Sequence, residues 1–196
     1  MDQKELKNIQ FKKEEYSDYT DSDQSETDET NTSSEENVTS DLLEEISNIL
    51  KTVIKQNKDL RYNGNKSDKI FHVNVAPTIT IYDYLYRIQK YLNINSSTLI
   101  ISLIYIDRIC KEKRIKLTNN NIHRILFSSI FTAIKYNEDN LMKISFYARI
   151  AGISEKELIK LENAFLKLIE FKLFVSDEIY QIYSSYLFCK NKLGNN

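Results

Sequence analysis

The chain has 196 residues with 3 Gly, 1 Pro, 2 Cys and 2 His. That length suits one domain with an appendage, and turn residues are too scarce for a β sandwich or barrel. The formal net charge of −1 hides an asymmetry: residues 1–50 hold 4 Lys/Arg against 15 Asp/Glu, residues 51–74 hold 6 against 2, and residues 75–196 hold 17 against 11.

From Glu14 to Glu36 the chain is Ser, Thr, Asp and Glu with almost nothing apolar. Such a segment cannot offset the entropy of ordering itself, so residues 1–40 are expected to form a disordered acidic tail. Thr20, Ser25 and Ser33 each have an acid three places on, a pattern acidophilic kinases accept. A plain solubilising tail generates the same matches.

From Asp41 to about Asn57, Leu42, Leu43, Ile46, Ile49, Leu50, Val53 and Ile54 recur at helical spacing behind Ser40 as N-cap. A polar loop follows, and Phe71 to Pro77 reads as extended chain because a residue before proline leaves the α region. Five helical segments come next. The first, about Thr80 to Leu92, has Ile81, Leu85 and Ile88 on one side. The second, from the Ser96–Ser97 cap to about Lys113, is apolar nearly all round and should be central. The third spans about Asn120 to Tyr136, and the short fourth, Phe146 to Ile150, stops at Gly152. The fifth opens with a capping box, Ser154 with Glu157, and repeats Leu158, Leu161, Phe165 and Leu168. An amphipathic segment, Asp177 to Phe188, closes the series. The pattern predicts an all-α bundle. The run Asn119, Asn120, Asn121 reads as compositional drift with no chemistry of its own.

Cys110 and Cys189 lie far apart, and with only His72 and His123 to add, neither a disulfide nor a metal-ligand spacing is expected. The longest apolar-rich run, Leu99 to Ile109, is interrupted by Ser102 and Asp107, and no signal peptide or membrane span is expected. There is no Gly-rich phosphate loop and no nucleophile with its base, so the chain is not read as an enzyme and no cofactor is expected. His123 reads as a structural histidine.

Five strings carry a resemblance. Tyr105 to Ile109 reads YIDRI, Pro77 to Lys90 reads PTITIYDYLYRIQK, and Asn121 to Tyr136 reads NIHRILFSSIFTAIKY. Phe146 to Ser154 reads FYARIAGIS, and Leu161 to Val175 reads LENAFLKLIEFKLFV. In this order and spacing they resemble the PHO-type (P/U-type) cyclins. The resemblance implies a five-helix cyclin box over about residues 77–187, within a cyclin-like domain of residues 41–196 that adds an N-terminal and a C-terminal helix.

It also implies the role of activating subunit of a cyclin-dependent serine/threonine protein kinase, bound through the third and fifth box helices. Lys135 matches the lysine ending the third helix, and Glu162 matches the glutamate of the fifth. In the family these lie side by side where the kinase docks, ringed here by Tyr136, Leu166, Phe171 and Leu173. Taken alone, the charged pair reads better as solvated side chains on ordinary helices, and the four apolar residues read equally well as core packing. Arg87 and Asp107 match a structural ion pair joining the first helix to the second. Tyr86 and Lys90 stand where mitotic cyclins carry the Met and Leu of a substrate-docking patch, which puts docking of that kind in doubt.

The rival reading is a cyclin-fold adaptor or transcription-factor-like module that binds peptide or nucleic acid. The basic excess is modest and spread over several helices, so no nucleic acid and no membrane partner is expected. The expected location is the cytoplasm, the nucleus or both.

Overall fold

The computed structural model describes residues 40–57, 66–112 and 115–189. The chain divides into two units, Met1–Ser34 and Glu35–Asn196, and every described residue lies in the second. The predicted acidic tail falls outside the described residues except for its last residue, Ser40, which begins the first helix.

Among the described residues there are seven α-helices and one 3-10 helix, with no strand: α1 Ser40–Asn57, the 3-10 turn Lys66–Phe71, α2 Ile81–Leu92, α3 Ser96–Lys111, α4 Ile122–Asn137, α5 Ile144–Ala151, α6 Glu155–Leu168 and α7 Asp177–Cys189. Helices α2 to α6 are the five segments predicted from periodicity. Thr80 caps α2 by accepting from the Asp83 N–H at 3.1 Å, and Ser154 caps α6 by accepting from the Glu157 N–H at 3.2 Å. Each such cap contributes about 1 kcal/mol. Only half of the predicted box at Ser154 forms, because the Glu157 carboxylate turns away to Arg124. Gly152 ends α5 at φ +76°, in the left-handed region that glycine enters without steric cost.

Helix α3 is the centre, with Leu99, Ile100, Leu103, Ile104, Tyr105, Ile106 and Ile109 all buried. Helix α4 lies along it, and the small residues Ser102, Ser128, Ser129 and Ala133 fill the core of this pair. The buried Ser129 hydroxyl donates to the Ser102 carbonyl at 2.6 Å, which satisfies it without water. Helix α6 packs on α4, α1 packs on α2 and α7, and α7 packs on α3. From α1, Leu42, Leu43, Ile46, Leu50 and Ile54 join the common core, each stabilising by about 1.5–3 kcal/mol.

The entry to α2 departs from the sequence reading. Phe71 belongs to the 3-10 turn and is fully buried, and irregular chain starts only at His72. The asparagine run is structural. Val73 and Asn120 exchange two hydrogen bonds of 2.9 Å: the Val73 N–H to the Asn120 carbonyl, and the Asn120 amide to the Val73 carbonyl. Asn121 is buried, accepts from the Thr118 N–H and donates to the Lys116 carbonyl, both at 2.8 Å. A buried amide using donor and acceptor together holds the turn before α4, so composition was a poor guide here.

Candidate functional site

In the last turn of α4, Lys135 Nζ pairs with Glu162 Oε1 of α6. The lysine side chain is 44% exposed and the glutamate 12%. Lys135 also stands 5.4 Å from the centroid of the Phe131 ring, a cation–π contact that fixes its stem. A cation at a helix C-terminus is favoured by the helix dipole, so the lysine is held by three separate fields. Beside it Tyr136 is 51% exposed. Along α6, Leu166 lies one turn beyond Glu162 and is half-buried, as is Leu173 in the segment that follows.

The end of α6 closes in a Schellman arrangement. The Glu170 N–H donates to the Lys167 carbonyl and the Phe171 N–H to the Leu166 carbonyl. Glycine usually occupies such a left-handed turn. Here Glu170 at φ +55° and Phe171 at φ +57° are both left-handed, which costs about 1–2 kcal/mol each. The turn delivers Phe171 to the surface at 66% exposure, with Phe174 at 73%.

The central helix holds this segment from beneath. The Tyr105 hydroxyl donates to the Leu173 carbonyl at 2.8 Å, while Arg108 donates through Nη1 to the Lys172 carbonyl at 2.7 Å and through Nη2 to the Phe174 carbonyl at 2.9 Å. Burial pushes the Tyr105 phenol up to about 12, so it stays a donor throughout the neutral range. Three consecutive carbonyls are therefore fixed by the tyrosine and arginine of the YIDRI string.

The expected Arg87–Asp107 pair does not form. Arg87 Nη2 donates to the Arg149 carbonyl of α5 at 3.1 Å. Asp107 accepts from the Tyr183 hydroxyl of α7 and pairs with Lys111 at 2.7 Å. The reason is topological: α2 packs chiefly on α1, α4 and α5, whereas α3 packs chiefly on α4 and α7, so these two neighbours in sequence are not principal packing partners. Burial and the neighbouring Asp107 charge hold the Tyr183 phenol well above its ordinary range. The aspartate thus ties α7 to the central helix.

His123 donates through Nε2 to the Ile79 carbonyl at 3.0 Å and meets the Tyr84 ring edge-on at 5.1 Å. Burial lowers its pKa below the ordinary histidine value. It lines a cavity of about 280 Å³ with Tyr84, Arg87, Phe127 and Leu161. Among the described residues no group of His, Cys, Asp and Glu could hold a metal ion, and no helix is long and apolar enough to cross a membrane.

A family model described as Cyclin matches residues 4–173. The chain belongs to the cyclin family. Cyclin-U4-1 of Arabidopsis thaliana is 35% identical over 153 residues, which cover 76% of this chain and 76% of that protein. Cyclin-P3-1 of Oryza sativa subsp. japonica is 35% identical over 133 residues, covering 66% and 56%. PHO85 cyclin-7 of Saccharomyces cerevisiae is 35% identical over 130 residues, covering 60% and 46%. These likenesses place the chain among the P/U-type, or PHO-type, cyclins.

In this cyclin the five segments expected as the box helices are α2 to α6. The structure pairs Lys135 with Glu162, leaves Tyr136 and Phe171 at the surface, and parts Arg87 from Asp107. Sequence reasoning missed Phe174, Arg108, and Arg124, which joins the 3-10 turn to α6. An arginine directly after the Asp of YIDRI was the available signal, since a cation on an otherwise buried helix needs acceptors.

Proposed function

We propose that this cyclin is the activating subunit of a cyclin-dependent serine/threonine protein kinase, and that it binds the catalytic subunit through α4 and α6. One observation carries the reading: an ion pair, Lys135 with Glu162, joins α4 to α6, and two exposed aromatic rings follow on the same two elements, Tyr136 directly after the lysine and Phe171 just past the end of α6. Apolar rings left in water at the edge of a fixed charge pair form a surface whose burial by another protein is favourable. The lysine keeps donors and the glutamate keeps lone pairs, so a partner's carbonyl and amide groups can be satisfied as the rim closes over them. The relative named PHO85 cyclin-7 is by its name a cyclin of PHO85, which supports a dedicated partner for this chain also.

On this reading activation is a population shift. Kinase catalysis needs its β3 lysine paired with the αC glutamate, which requires αC to be packed inward. A subunit that binds only the inward state drives the equilibrium by its differential affinity, and moving 1:99 to 99:1 takes about 5.5 kcal/mol. The chain is then regulatory, requires no cofactor of its own, and works in the cytoplasm or nucleus.

The test is to express the full chain, recover the kinase that co-purifies, and assay phosphoryl transfer by that kinase with and without the chain. The expected result is a kinase whose activity rises when the chain is added. A chain that recovers no kinase and instead binds DNA with a steep salt dependence would overturn the proposal.

A further inference from the structure

We propose that the segment 170–174 is a pre-set wedge, in which Phe174 is a specificity-determining contact that seats in an apolar recess of the partner kinase. Tyr105 and Arg108 act as positioning residues for it. The inference rests on the kinase-binding reading and extends that surface beyond the residues named above.

Four observations carry it. Phe174 is 73% exposed, so most of it is left uncovered by the described fold. It follows directly on Leu173, which continues the apolar rim from Phe171, so a partner that closes over the rim meets the second ring as well. The backbone beneath it is fixed: the Arg108 guanidinium forks to the carbonyls of Lys172 and Phe174, and the Tyr105 hydroxyl takes the carbonyl between them. Finally, two successive non-glycine residues, Glu170 and Phe171, are held left-handed, a strain that persists only where the surroundings over-determine it.

Together these features remove the freedom a surface phenylalanine would otherwise use to fold back onto the protein. With three carbonyls turned toward α3, rotating the Phe174 peptide inward breaks at least one bond to a charged donor. Glu170 pairs with Lys172 at 2.8 Å across the turn, which braces the same conformation from the solvent side. A ring held outward in the free protein loses little entropy on docking, and this is how a single aromatic becomes an anchor. The arrangement demands a partner with a complementary apolar recess next to the surface that receives Tyr136 and Phe171, and it disfavours a kinase with a charged group there.

The test uses the full chain and the catalytic subunit recovered with it, purified and titrated by calorimetry. Phe174→Ala is expected to weaken binding more than 10-fold while leaving the melting temperature unchanged. Arg108→Lys keeps the charge but loses the planar fork, and should also weaken binding. In the Phe174→Ala background the same Arg108→Lys change should cost little further affinity, because its effect passes through the ring. A purely structural Arg108 would cost the same affinity in both backgrounds, which would overturn the positioning role; some fall in melting temperature is expected either way, since two bonds to carbonyls are altered. Phe174→Ala binding as tightly as the parent would overturn the wedge. The failure of the parent reading looks different: no kinase is recovered by the unaltered chain, or Lys135→Ala with Glu162→Ala leaves recovery intact.

Discussion

Arg124 is the best single probe of how the fold holds its ends together. Its Nη1 donates to the Ile70 carbonyl at 2.9 Å and to the His72 carbonyl at 3.3 Å, and its Nη2 pairs with Glu157. One side chain on α4 thus anchors both the link before α2 and the first turn of α6. Replacing it by Met keeps the apolar stem and removes all three contacts. The Ile70 bond, from a charged donor, is worth about 1.5 kcal/mol at the low end, and the longer bond from the same nitrogen about 0.5 kcal/mol. The ion pair joins two partly exposed groups and contributes about 0.5–1 kcal/mol. Arg124→Met should therefore cost about 3 kcal/mol, which for a domain of this size lowers Tm by about 6–12 °C. Urea unfolding followed by circular dichroism reads this directly, with the slope unchanged if only stability has moved. A double-mutant cycle with Glu157→Gln isolates the ion pair, with a coupling of about 0.5–1 kcal/mol expected. A total loss below about 1 kcal/mol would refute the reasoning, since it would mean these carbonyls are as well satisfied by water.

Two further outcomes follow from the core. Tyr183→Phe deprives Asp107 of its phenolic donor while Lys111 remains, so stability should fall by about 1–2 kcal/mol, with faster amide exchange in α7; unaltered exchange there would show that the helix is held by packing alone. His123 has a folded pKa below its unfolded value near 6.5, so above that pH its contribution is constant, and as pH falls through it the unfolded state gains the proton first. Stability should decline from pH 7 to pH 5, and His123→Gln should flatten the decline; an equal slope in both proteins would contradict the assignment.

The helices were legible because burial on one face writes a 3.6-residue period into the chain, and the expected cap at Ser154 stands at its helix start, whereas the cap expected at Ser96–Ser97 falls inside α3, whose N-cap is Asn95. The Lys135–Glu162 pairing was legible only through resemblance, since nothing in the spacing of two charges 27 residues apart says that α4 and α6 lie together. Resemblance also misled at Arg87 and Asp107, whose partners depend on which helices touch. Local sequence does not record that choice. The roles of Asn120 and Asn121 were hidden for a different reason: polar residues in an Asn-rich chain look like composition until a buried carbonyl is seen to need them. The wedge at Phe174 was invisible because an apolar residue in a short segment reads as core by default. Only the orientation imposed by Tyr105 and Arg108 keeps it out.

The most direct test of the central claim is the affinity of the full chain for its co-purifying kinase catalytic subunit, compared with that of the doubly altered chain Lys135→Ala, Glu162→Ala. Because the Glu162 side chain is only 12% exposed, the altered chain should lose some stability, and its affinity is measured at a temperature where circular dichroism shows it folded. Its affinity should fall more than 100-fold and kinase activation with it. Undiminished affinity in a folded double variant would contradict the account, because the kinase would then be held by some other face of the bundle.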